Sequence, residues 1–259
     1  MGSEMCIRDR FWKERKDSGK EAEQRVKKTA KILGIPLFFL DLREEFKKSI
    51  VEWFLKEYEK GRTPNPCVLC NKEIKFHFLI EKASEIGAWV VASGHYAKLL
   101  KEGKQVRLMR ARDREKDQSY FLWRLGQGEL QRIVFPMEDM KKSETVALAR
   151  DLGLSVFDDQ ESQDVCFFEG KTIDFLKRHI KPRPGRILDE KGNEVGRHNG
   201  LCFYTIGQRK GIGLSGGPYY VIAKDKERNE IFVSRNKEKL SLIHISEPTR
   251  PLYISYAVF

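Results

Sequence analysis

No run of 18 apolar residues occurs in the sequence, so no membrane-spanning helix is expected. No charged-then-apolar start with a small-residue cleavage site is present either, and secretion has no support. Cysteine is scarce and odd in number: Cys6, Cys67, Cys70, Cys166 and Cys202. Such a set is no disulfide framework, and reduced thiols in a cytoplasmic protein are the expectation. Internal repeats and low-complexity tracts are absent. What remains is a chain of 259 residues with 16 Phe, 8 Tyr and 4 Trp, which excludes wholesale disorder. At roughly 150 residues per domain, this is one large or two modest domains, able to bury a core without disulfides or metals.

Acidic residues are outnumbered. Lys and Arg total 49 against 38 Asp and Glu, a net charge of +11. Charge speaks to partners rather than to fold. A basic cytoplasmic protein most often meets a polyanion, and nucleic acid is the commonest, because phosphate neutralisation supplies much of its affinity. The plainer alternative is a solvated surface with a Lys bias.

Helical spacing marks Glu21–Leu33, Glu44–Lys60 and Asn71–Ile86, each closed by glycine. Short apolar runs at Pro36–Leu40 and Ala88–Ala92 suit buried strands. Helices alternating with strands predict an α/β fold with a doubly wound parallel sheet, whose ligands lie beyond the carboxyl ends of its strands. Ser93-Gly94-His95 stands at such an end. Further helices are expected at Ser143–Leu152 and Thr172–His179. From Val195 onward short alternating runs (Cys202–Ile206, Tyr219–Ala223, Ile231–Ser234) predict a β-rich second part, with a hairpin turning at Glu227-Arg228-Asn229. Met1–Arg10 and Ser241–Phe259 break the pattern and resemble translated adaptor sequence. They are expected to be non-native ends outside the fold.

The densest motif is GRTPNPCVLCNKEIKF, Gly61–Phe76. Cys67 and Cys70 form a C-x-x-C, which serves redox chemistry or metal binding. Cys70 is expected at a helix start behind the rigid Thr63–Pro66 loop. There the dipole, with Lys72 and Lys75, favours an accessible thiolate. A buried structural cysteine is the alternative. Cys166, in ESQDVCFF, would be core if it stood alone; beside a second thiol it makes a carrier-and-resolver pair for sulfur. Cys202 reads as core. The glycine loop Gly207-Gln208-Arg209-Lys210-Gly211-Ile212-Gly213 suits phosphate through backbone N–H groups and two cations, or is a solvated turn. Polar residues of Lys116–Leu122 are explicable as helix caps alone.

Together, GRTPNPCVLCNKEIKF, ASGHYA, KDQSYFL, ESQDVCF and YTIGQRKGIG, in this order, resemble the bacterial tRNA-uridine 2-sulfurtransferase (tRNA-specific 2-thiouridylase) family from about Phe11 to Leu240. The resemblance implies an ATP-pyrophosphatase-type nucleotide domain (11–155), a small central domain (156–216) and the start of a C-terminal β-barrel (217–240). It implies that ATP, with Mg, adenylates the C2 oxygen of the wobble uridine and that a persulfide sulfur then displaces AMP. Cys70 matches the family nucleophile and Cys166 the persulfide-carrying cysteine, and the two can form a disulfide in the family. Asn65, Pro66 and Cys67 match the stretch that meets the target base. Gly94 matches a nucleotide contact and His95 a tRNA contact; Lys116, Asp117 and Gln118 match a tRNA-contacting segment. The implied partners are tRNA and a persulfide-donor protein, with a monomer expected and no membrane.

The family pattern also has a first strand followed by a Ser-Gly-Gly-x-Asp-Ser loop that grips ATP phosphates. That loop sequence does not occur here, so an internal fragment lacking the first strand and most of the barrel is the expectation. Two other classes remain. Cys67, Cys70 and Cys166 could hold an iron–sulfur cluster in a non-catalytic nucleic-acid module. Another ATP-pyrophosphatase-type ligase would leave the paired cysteines unexplained.

Overall fold

A computed structural model describes residues 6–10, 20–154 and 165–237. Two compact units divide them. One takes residues up to Ile50 and Pro66–Glu169; the other takes Val51–Asn65 and the chain from Gly170.

The first unit opens with strand β1 (Cys6–Arg10), helix α1 (Lys20–Leu33) and strand β2 (Leu37–Asp41). β1 and β2 pair in parallel, Cys6 opposite Leu37 and Arg10 opposite Asp41. Cys6–Arg10, expected to belong to a non-native end, forms this strand. Ladder pairing uses backbone groups alone, so a segment without side-chain periodicity can still form a strand. The expected foreign end at 241–259 lies outside the described residues.

Helix α2 (Arg43–Phe46) widens into a π-type stretch at Lys47–Val51, and α3 (Glu52–Glu59) already belongs to the second unit. The chain re-enters the first unit at Pro66, the first residue of α4 (Pro66–Cys70). A second π-type stretch, Asn71–Phe76, leads into α5 (His77–Glu85). The helix thus starts five residues earlier than the sequence pattern suggests. Proline suits the first helical position, where its missing N–H would have no partner anyway.

Strand β3 (Val91–Ala92) pairs in parallel with β6 (Ile133–Val134), while β4 (Lys98–Glu102) and β5 (Gln105–Met109) form an antiparallel hairpin that periodicity does not reveal. Between β5 and β6 lie a 3-10 turn at Ser119–Leu122 and the short α6 (Gln127–Leu130); α7 (Lys142–Asp151) follows. The strand expected at Ala88–Ala92 shrinks to two residues. Trp89 is 70% exposed, and Arg132 lies over its ring, 4.9 Å from the centroid. β1–β2 and β3–β6 pair in parallel as expected and β4–β5 antiparallel, and among the described residues these are separate two-stranded sheets rather than one doubly wound sheet. Phe76, Val91, Ala97, Val106, Leu122, Leu130, Ile133 and Phe135 make the core.

The second unit adds α8 (Thr172–His179), β7 (Gly185–Leu188), β8 (Glu194–His198), β9 (Tyr220–Asp225) and β10 (Glu230–Ser234). The sheet order is β8-β7-β10-β9, and β9 and β10 form the expected hairpin. The expected boundary between residues 216 and 217 falls inside this sheet, whose core joins Ile187 and Leu201 to Val221 and Ile231. Leu201–Phe203 is a 3-10 turn, not the expected strand, and Cys202 is buried in it.

Candidate functional site: a cysteine helix and a strand end

α4 carries both cysteines of the C-x-x-C. Cys67 lies in the first turn and is half-buried; Cys70 lies one turn on and is only 5% exposed. This corrects the expected placement of Cys70 at a helix start as an accessible thiol. The early start at Pro66 moves Cys70 inward, where Val68 and Ile74 are also buried.

Cys166 has the opposite environment. Val165, Phe167 and Phe168 are buried while Cys166 is exposed. Phe167 packs edge-on against Phe46, with centroids 5.7 Å apart, so the apolar neighbours anchor the segment and turn the thiol outward. Cys166 is also within electrostatic reach of Cys67. Burial pushes the Cys67 thiol up, the Cys166 charge pushes it further, and Lys75 opposes both. Cys67, Cys70, Cys166 and Cys202 are thiols.

The ion pairs reassign one expected cation. Lys72 bonds Glu129 and is committed within the unit, whereas Lys75 lies near both Cys67 and His95.

His95 follows β3 and sits between aromatic rings, 5.7 Å from Phe76 and 6.3 Å from Phe135. Its Nδ1 is 2.6 Å from the Ser93 hydroxyl. Burial, reinforced by the Lys75 charge, pushes it down to about 4. His95 is therefore a neutral ring near pH 7, suited to stacking or hydrogen bonding rather than to phosphate attraction.

Gly94 is exposed, and a Cβ built on it would meet nothing within 4 Å. Open space at a strand end suits a ligand, but the neighbouring Ser93 hydroxyl is engaged with His95 and the Ser-Gly-Gly-x-Asp-Ser sequence is not among these residues.

The Lys116-Asp117-Gln118 segment is held against the strand end. Gln118 N–H donates to the Tyr96 carbonyl at 2.7 Å, and Tyr96 N–H donates to Gln118 Oε1 at 3.1 Å. Asp117 accepts from Ala111 N–H at 2.8 Å and from the Ser119 hydroxyl at 2.7 Å. Asp117 and Gln118 thus shape the segment, and Lys116 is left exposed. Asn71, which sequence reasoning left without a role, is 3% exposed; its Nδ2 donates to the Phe121 carbonyl at 3.0 Å. Its position directly after Cys70 was the available signal. Phe135, distant in sequence, offered none.

Asn65 belongs to the second unit, with Arg62 and Thr63. Arg62 is paired with the buried Glu57 and holds its carboxyl below the usual range against the effect of burial. The Thr63 hydroxyl donates to Thr205 Oγ1 at 3.1 Å. Among the described residues, no three His, Cys, Asp or Glu side chains are grouped to hold a metal ion. No described helix is long and apolar enough to cross a membrane.

Residues 5–170 match the tRNA methyl transferase HUP domain family, and residues 173–235 match the tRNA methyl transferase PRC-barrel domain. The chain belongs to this family. Its α/β first unit and β-rich second unit fit the two matched domains. The chain is 44% identical over 221 residues to the tRNA-specific 2-thiouridylase MnmA of Syntrophomonas wolfei, covering 84% of this chain and 65% of that protein. It is 44% identical over 233 residues to the protein of that name from Roseiflexus castenholzii, covering 82% and 63%. To tRNA-specific 2-thiouridylase MnmA 1 of Caldanaerobacter subterraneus it is 46% identical over 219 residues, covering 82% and 60%. The chain thus spans just under two thirds of the length of these relatives.

Proposed function

We propose that this chain carries the sulfur-handling residues of a tRNA uridine 2-thiolation enzyme. The observation that carries this reading is the exposed Cys166, fixed by buried neighbours within electrostatic reach of Cys67 and the C-x-x-C helix. The names of the relatives support sulfur transfer to tRNA uridine.

In this reading Cys166 is the persulfide carrier, because a donor protein must reach it from solvent. The C2 oxygen of uridine is first activated as an adenylate, which makes AMP the leaving group; ATP, with Mg, supplies that activation. The terminal sulfur of the Cys166 persulfide attacks C2, and AMP departs with the oxygen. Cys70 then attacks the inner sulfur of Cys166. The C2–S bond is kept, the persulfide S–S bond breaks, and a Cys70–Cys166 disulfide forms, to be reduced by an external thiol. Asn65, Pro66 and Cys67 face the target base, and His95, Lys116, Asp117 and Gln118 hold the tRNA nearby. Gly94 contacts the nucleotide. The setting is the cytoplasm.

The test loads the chain with a small-molecule persulfide donor and maps the added sulfur by alkylation and mass spectrometry. Sulfur is expected on Cys166, lost in Cys166→Ser and retained in Cys70→Ser. In a thiolation assay with ATP and unmodified tRNA, any 2-thiouridine formed should vanish in both variants. Sulfur loading unchanged by Cys166→Ser would overturn the assignment.

A further inference from the structure

We infer that the Gly207–Gly213 loop is a preformed clasp for the phosphodiester backbone of RNA, with Arg209 and Lys210 as its cations. The inference rests on the reading of tRNA as substrate and assigns a binding element which that reading does not include.

The loop is rigid at its base. Gly207 N–H donates to the Val221 carbonyl at 2.8 Å, Val221 N–H returns to the Gln208 carbonyl at 3.0 Å, and Gln208 N–H donates to the Thr205 carbonyl at 3.0 Å. The Gln208 side chain braces the interior: Oε1 accepts from Thr205 N–H and Nε2 donates to the Lys210 carbonyl, both at 2.9 Å. Ile212 is buried in the core of the second unit and pins the far side. Gly207, Gly211 and Gly213 take positive φ, which allows the tight path and leaves no side chain over the backbone there.

Two cations crown this frame. Arg209 and Lys210 are exposed, and among the described residues neither side chain has an ion-pair or hydrogen-bond partner. Two other basic residues of the unit are committed, Arg62 to Glu57 and Arg186 to Glu230. A cation that no carboxylate satisfies, on a loop already ordered, loses little freedom when a phosphate arrives. Thr205, at the loop base, bonds Thr63, two residues before Asn65. Within this unit the loop is therefore tied to the stretch that ends in Asn65. Contacts of this kind position RNA without reading its sequence.

The test titrates the chain with unmodified tRNA across monovalent salt, using fluorescence anisotropy, and compares Arg209→Gln/Lys210→Gln with Lys226→Gln/Arg228→Gln at the hairpin tip. Two lost phosphate contacts should flatten the slope of log K against log salt by about 1.4 for single-stranded to about 1.8 for duplex contacts. The hairpin-tip variant should leave the slope unchanged. Equal flattening by both variants, or none by the loop variant, would overturn the clasp while leaving tRNA binding intact. Failure of the unaltered chain to bind tRNA would instead overturn the substrate reading, and the clasp with it.

Discussion

Asn71 Nδ2 donates to the Phe121 carbonyl at 3.0 Å and so ties the cysteine helix to the turn that follows Lys116-Asp117-Gln118. Asn71 is almost wholly buried, and its Oδ1 has no hydrogen-bond partner among the described residues. Asn71→Leu removes both the bond and the orphan acceptor, and a loss of about 1–3 kcal/mol is expected from the stranded Phe121 carbonyl. Asn71→Asp sets a buried carboxylate against that carbonyl and should cost more, about 3–5 kcal/mol near pH 7. Urea denaturation of both variants checks the order.

His95 makes stability fall in acid. Its folded value is depressed from 6.5 to about 4, so between these values the unfolded chain binds more protons than the folded one. Stability therefore rises with pH across this window and is lost as pH falls through it, by about 2–3 kcal/mol between pH 7 and pH 4.5. His95→Phe should abolish this component. Denaturation midpoints at the two pH values, compared between the two proteins, measure it.

Thiol labelling should follow exposure. Cys166 is expected to react first with iodoacetamide and Cys67 more slowly, because it is half-buried and its thiol is pushed up. Buried Cys70 and Cys202 should react last. Timed mass spectrometry gives the order. Labelling of Cys70 as fast as Cys166 would contradict the described burial.

The link between the two loops of the second unit is open to the same kind of test. Thr63→Val removes the bond to Thr205 and should cost about 1 kcal/mol. Gly61→Ala should cost about 1–3 kcal/mol. Its φ is +78°, and a Cβ there would stand 2.6 Å from Leu201 Cδ2. Thermal denaturation checks both.

Much of this was legible in sequence because local rules govern it. Helical spacing located α1, α7 and α8 to within a residue, and the alternating runs located the β9–β10 hairpin. Thiol chemistry alone marked Cys67, Cys70 and Cys166 as a set, and the order of five motifs identified the family. Tertiary structure decided the rest. Cys70 became buried because the helix starts at Pro66, and proline's indifference to a lost N–H gives no signal of where tertiary contacts begin a helix. Lys72 passed from a cation of the site to a partner of Glu129, and His95, matched only as a tRNA contact, became a neutral ring between Phe76 and Phe135. The identity of a residue limits which charges and bonds it can carry. Which of them it carries depends on neighbours that chain folding brings from 19 to 57 positions away, and local sequence pattern does not record them.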